Sequence, residues 1–201
     1  MATLFVDKVD PQSGTSLEIG SSGDTITIPS GCTLTNSGTA TGFGGITESD
    51  QWRTSTDTLI SAGTNVLLTD FERVDTDGGG KIGTGMTHSS GTWTFPSTGV
   101  YLILSNIVFA SNGTNGSNFV INRIYSTTDN SNYDFATSMG GGKLDTHADA
   151  NIPISSNFQF DVTDTSTHKI RFYAYTQTSC YIGGNTNRNQ CDFTFIRLGD
   201  T

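Results

Sequence analysis

The sequence predicts an all-β fold, an antiparallel two-sheet sandwich or jelly roll preceded by a short β-rich N-terminal arm. Three observations carry this. Helix formers are scarce, with Glu18, Glu48 and Glu72 the only glutamates, whereas Asp, which favours loops, is abundant. The 24 glycines and the many Ser, Thr and Asn residues suit short strands joined by turns. From residue 50 onward, runs rich in β-branched and aromatic residues recur with turn signals and no helical pattern between them. Only 33% of the chain is hydrophobic, so its core must be thin.

Residues 1–45 contain small echoes: "SLEIG", "TITIPSG" and "TLTNSG" place Leu17, Ile26 and Leu34 about eight or nine residues apart ahead of Gly-containing turns. Too few apolar side chains occur here to close a core within one chain, so the segment is either a free arm or gains a core by association with copies of itself. "GTATGFGG" (38–45) reads as a linker. The expected domains are thus an arm and linker over 1–45 and a β-domain over 46–201.

Strands follow at "TNVLLTDFERV" (64–74), "GTWTF" (91–95), "GVYLILSNIVFA" (99–110), "SNFVINRIYST" (117–127), "SNFQFDV" (156–162), "HKIRFYAYTQT" (168–178) and "CDFTFIRLG" (191–199). Phe158, Phe160 and Val162 share one face of their strand, and Ile170, Phe172 and Ala174 share one of theirs. "SNGTNGSN" holds two Asn-Gly pairs and reads as a hairpin turn.

The 99–110 strand is apolar on both faces. Val100, Leu102, Leu104 and Val108 occupy one, Tyr101, Ile103, Ile107 and Phe109 the other. A sandwich covers only one of them with its opposite sheet, and soluble monomers rarely leave such a patch in water. The expectation is a trimer interface built on Tyr101, Ile103, Ile107 and Phe109, with Thr176 an exposed position of no consequence.

"GTWTFPSTGVYLI" resembles the signature of the C1q/TNF-like jelly roll, a hairpin with an aromatic, a proline and Gly-x-Tyr leading into an inner strand. "CDFTFIRLG" is similar to the closing strand of that fold. The resemblance spans residues 50–199 and implies a homotrimer. Residues 6–45 resemble the leader found in tail-fibre and other virion structural proteins of marine and cyanobacterial phages, although almost no shaft follows.

Charge and motifs exclude several functions. With 10 basic against 19 acidic side chains, net −9, and the basic residues scattered, no nucleic-acid partner is expected. No apolar run reaches the roughly 18 residues that span a bilayer, and no secretory signal is legible, which points to assembly in a cytoplasm. His88, His147 and His168 lie far apart, no GxSxG occurs, and Glu72, Asp75 and Asp77 cluster too closely in sequence for a glycosidase pair, so no catalytic residue is assigned. "DTDGGG" (75–80) resembles the start of a calcium loop, with Asp75 and Asp77 as weak metal candidates, but Met86 stands where an EF-hand needs its bidentate Glu. No other cofactor is expected. Cys180 and Cys191 flank a turn-rich stretch that can face them across a hairpin; either a disulfide or two small semi-buried residues fits, and Cys32 is left over.

The functional expectation is a non-enzymatic phage virion protein, a homotrimeric fibre or tip. It docks to other virion proteins through residues 1–45 and presents its head to a host-surface glycan or protein. Loops 76–90, 111–117, 129–150 and 183–190 would recognise the receptor, with Tyr133, Phe135, Asn112 and Asn115 as contact residues. The alternative is a capsid or tail decoration protein that stabilises the particle without binding a receptor.

Overall fold

The computed structural model describes residues 8–37, 45–113 and 116–201. Two compact units divide the chain, Met1–Phe43 and Gly44–Thr201. In the first, residues 8–37 form no strand, which corrects the expected β-rich arm. Local turns organise it instead: the Asp24 carboxylate accepts from Ser21 N at 2.7 Å, and Cys32 N donates to Pro29 O at 3.1 Å. Leu17, Ile19, Ile26, Ile28 and Leu34 are all exposed. A strand needs a partner for its backbone groups, and this segment has none of its own.

Thirteen strands and no helix make up the described part of the second unit. They are β1 (Ser49–Thr54), β2 (Thr58–Ile60), β3 (Asn65–Leu67), β4 (Phe71–Arg73), β5 (Thr87–Ser89), β6 (Thr92–Thr94), β7 (Gly99–Ala110), β8 (Val120–Thr127), β9 (Asp134–Gly141), β10 (Asn151–Val162), β11 (Lys169–Thr176), β12 (Cys180–Ile182) and β13 (Asp192–Gly199). The first sheet runs β2-β12-β7-β13-β1-β4, with β10 also on β7; the second runs β5-β6-β11-β8-β9, with β3 also on β11. All pairings between strands are antiparallel.

β7 is the spine of the first sheet. β10 pairs with it from Gly99 to Ala110, while β13 and β12 lie end to end along its other edge. Cys180 and Cys191 therefore do not face each other across a hairpin; both are buried, free thiols. Burial raises both thiol pKa values, which suppresses the reactive thiolate.

β5 and β6 are joined by the two-residue loop Ser90-Gly91, both residues at positive φ (49° and 81°), the conformation that suits a tight hairpin. The chain then crosses from the second sheet to the first through "PSTG". Gly99 sits at φ 138°, and a Cβ there would overlap the Arg197 guanidinium, so the crossover requires glycine. Residues 111–119 make a second crossover, from β7 to β8 in the other sheet, rather than the hairpin expected from the Asn-Gly pairs.

The core lies between the sheets. Trp93 is fully buried, with Trp52, Phe71, His88 and Phe195 rings at 4.7–5.0 Å. Tyr101, Ile103, Ile107 and Phe109 also point inward and are at most 1% exposed within a single chain. This overturns their expected place at a trimer interface: closure of the sandwich already removes them from water. Tyr101 keeps its hydroxyl satisfied by donating to Ser97 O at 3.1 Å. One polar bridge spans the layers, where Asn122 donates to Ser105 O and Ile154 O at 2.9 and 3.1 Å and accepts from Ser105 Oγ. Thr176, expected on the surface, is buried and donates to Ser117 Oγ or Thr178 O.

Candidate functional site: two contrasting outer faces

With the inward set of β7 assigned, the outward set is Val100, Leu102, Leu104, Asn106, Val108 and Ala110, all half-buried. Register places Ile196 of β13 beside Leu102, and Pro153 of β10 beside Val108. The result is an aliphatic stripe on the outer face of the first sheet. Asn106 interrupts it between Leu104 and Val108 and donates to Asp192 Oδ1 at 3.0 Å, and beside it Gln51 donates to Thr194 Oγ1 at 3.0 Å. Partial burial raises the Asp192 pKa, opposed by the Asn106 hydrogen bond.

The outer face of the second sheet has different chemistry. Outward positions of β8 are Ile121, Arg123 and Tyr125, and those of β11 are Arg171, Tyr173 and Tyr175. Cross-strand register sets Tyr173 opposite Arg123 and Tyr125 opposite Arg171. Rings and guanidinium groups then interleave. Phe119 stacks on Tyr175 (5.8 Å, 14°), and Arg123 lies 4.8 Å from the Tyr175 ring and 5.1 Å from that of Phe135. Tyr125 packs 4.5 Å from both Phe135 and Tyr173, and Arg171 covers the Tyr133 ring at 3.7 Å. Asn65 ties the band to β3 by donating to Tyr125 Oη at 2.8 Å and accepting from Arg123 Nη1 at 3.0 Å. Desolvation raises the Tyr125 pKa against the opposing pull of Arg123.

Tyr133 and Phe135, expected on one loop, lie on this same face, Tyr133 just before β9 and Phe135 within it. Residues 134–141 form β9, the edge strand of the second sheet, which corrects the reading of 129–150 as one long loop. The segment 76–90 likewise contains β5. Asn112 lies apart from this face and donates to Ser179 O at 3.1 Å. Asn115 lies outside the described residues.

Asp77 borders a cleft of about 400 Å³ that Arg53 and Arg188 also line. Arg53 is buried and pairs with Asp75 at 3.0 Å and Glu72 at 2.7 Å, so the Asp75 carboxylate already has a cationic partner. Among the described residues, no group of three His, Cys, Asp or Glu side chains is arranged to hold a metal.

The sandwich matches solved structures at low identity. Eiger TNF from S. frugiperda aligns with TM-score 0.55 and 10% identity over 76% of this chain and 93% of its own. Murine APRIL aligns with TM-score 0.54 and 10% identity over 75% and 98%. The fold is a TNF-like jelly roll. Vertex protein P5 of phage PRD1 aligns with TM-score 0.51 and 16% identity over 78% of this chain and all of its own. No family model matches the chain, and no curated protein matches it in sequence.

Within this jelly roll, "GTWTFPSTGVYLI" is the crossover that carries Trp93 of the second sheet to Tyr101 of the first. "CDFTFIRLG" supplies β13, between β7 and β1. The two arginines of the second face went unnoticed in sequence, although a signal exists. Arg123 and Tyr125, and Arg171, Tyr173 and Tyr175, occupy the parity opposite the core residues of their strands.

Proposed function

We propose that the chain is a non-enzymatic structural protein of a phage particle, assembled in the host cytoplasm as a homotrimer that presents its jelly roll to the host surface. The aliphatic stripe carries this reading: Val100, Leu102, Leu104, Val108 and Ile196 form an apolar strip, interrupted by Asn106, that one chain leaves only half-covered. A second and third copy cover it, because a mainly aliphatic sheet face can pack against copies of itself, and the Asn106 and Thr194 side chains within it are already hydrogen-bonded inside the chain. The virion assignment is supported by the leader-like residues 6–45 and by the likeness of the jelly roll to a phage vertex protein. Residues 1–45 are the dock to other virion proteins, and their exposed Leu and Ile side chains gain a core on assembly.

Host attachment falls to the face of the second sheet, whose rings and arginines are suited to reversible recognition. Imaging of particles with an antibody against residues 46–201 tests the reading. Label at the tail or at vertices, together with neutralisation, supports attachment. Uniform label over the particle without neutralisation replaces it with a decoration role.

A further inference from the structure

We propose that the outer face of the second sheet binds an acidic polysaccharide, with Arg123 and Arg171 pairing with sugar carboxylates while Phe135 and the neighbouring tyrosines stack on sugar rings. This rests on the host-attachment reading and names its ligand.

The charge arrangement is the first ground. Of the other arginines, Arg53, Arg73 and Arg197 each pair with an Asp or Glu side chain, whereas Arg188, exposed on the 183–190 loop, forms no ion pair among the described residues. Arg123 and Arg171 form no ion pair among the described residues, in a chain where acidic side chains outnumber basic ones 19 to 10. Carboxylates are plentiful, yet none approaches these two guanidinium groups. Each makes one hydrogen bond to the chain, Arg123 Nη1 to Asn65 and Arg171 Nε to Thr92. A guanidinium has five N–H donors; Arg123 Nε is buried and Arg171 Nε is used by Thr92, so the Nη groups are what remain for a ligand.

Geometry is the second ground. Arg123 and Arg171 are diagonal neighbours on adjacent strands, about 7–8 Å apart at the backbone. Aromatic rings hold both in place, which limits the side-chain entropy lost on binding. The flat guanidinium matches the flat carboxylate by two parallel hydrogen bonds, a fit that a lysine lacks. Phe135 is 58% exposed and Phe119 38%, so ring area is open beside the charges. The face is a sheet surface without a deep cavity, and the cleft beside Asp77 lies elsewhere. An extended polymer read through repeated weak contacts fits such a surface, and three copies multiply those contacts.

The test uses the full chain and fluorescent polygalacturonate oligomers, with dextran as the neutral arm and inorganic polyphosphate as the phosphate arm. Polygalacturonate is expected to bind in preference to both, and more weakly as NaCl rises. The double variant R123Q/R171Q should lose about tenfold or more in affinity, whereas R188Q, which removes an exposed charge at the cleft beside Asp77, should change little. Arg123→Lys keeps the charge, loses the flat fork, and should show an intermediate loss, which keeps the test valid should R123Q fold poorly. The proposal is overturned by absent polygalacturonate binding, by equal binding of dextran or polyphosphate, or by an equal loss in R188Q. Adhesion of purified trimer to host cells that survives R123Q/R171Q also overturns it, while leaving attachment itself standing.

Discussion

The two outer faces of the jelly roll are both poorer in charge than a solvated sheet face, and they are so in opposite ways. On the first sheet, Leu102, Leu104, Val108 and Ile196 make an aliphatic stripe that Asn106 alone interrupts on β7, with Gln51 and Thr194 hydrogen-bonded beside it. On the second, rings alternate with Arg123 and Arg171. Aliphatic area gains only by leaving water, so its natural cover is permanent. Rings and guanidinium groups are stable in water and still offer stacking and directional hydrogen bonds, so their partner can come and go. The contrast teaches that a sheet surface can be classed by the kind of apolarity it carries, not by its amount.

The largest expected effect breaks the first face. Leu104→Asp should dissociate the proposed trimer while leaving a folded monomer, because a charge in a desolvated interface costs several kcal/mol, about 3–5 by analogy with unpaired buried charges. Tyr101→Asp, directed at the interior, should unfold the domain instead. Sedimentation together with thermal melting separates the two outcomes, and a trimeric L104D would remove the stripe from the interface.

Next in size is the crossover on which both faces depend. Gly99→Ala should destabilise the domain by about 1–3 kcal/mol, since φ 138° strains any side chain and the Arg197 guanidinium fills the space. Denaturant titration measures it.

The second face should respond more mildly in stability and more strongly in binding. Phe135→Ala exposes Arg123 and Tyr125, and a shift of about 1 kcal/mol or less is expected for a ring this exposed. Adhesion to host cells should fall while sedimentation stays trimeric. Unchanged adhesion would move recognition off this face.

Asp192 offers a smaller, pH-dependent test of the first face. Its folded pKa is raised, so ionisation is penalised: the penalty is absent below the unfolded pKa and complete above the folded one. Asp192→Asn should therefore stabilise modestly at neutral pH, with the gain vanishing as pH falls through the carboxylate range. A melting series against pH checks this. The smallest effect is expected from chelation: EDTA should leave melting unchanged, because Arg53 already neutralises Asp75. A fall on chelation that calcium reverses would restore a metal role to Asp75 and Asp77.

Much of this fold was legible in the linear order of residues. The strand 99–110 was readable to its ends, and the core parity of Ile170, Phe172 and Ala174 followed from alternation. The sequence did not show that Phe135 lies on an edge strand. β9 reads "DFATSMGG", poor in β-branched residues, and it exists because β8 supplies its hydrogen-bonding partner.

Composition and periodicity by themselves determined the all-β class, the weak core of the first 45 residues, and the two apolar faces of β7. Which of those faces lies inside was decided only by the tertiary structure. Alternation states that Tyr101 and Leu102 point to opposite sides, but both parities are apolar, so no local rule ranks them. Closure of the two sheets ranks them, because the larger rings of Tyr101 and Phe109 fill the space between layers that Phe95, Phe160 and Phe195 also occupy. The arginine band is tertiary for the same reason. Arg123 and Arg171 lie far apart in sequence, and only the antiparallel register of β8 with β11 makes them neighbours.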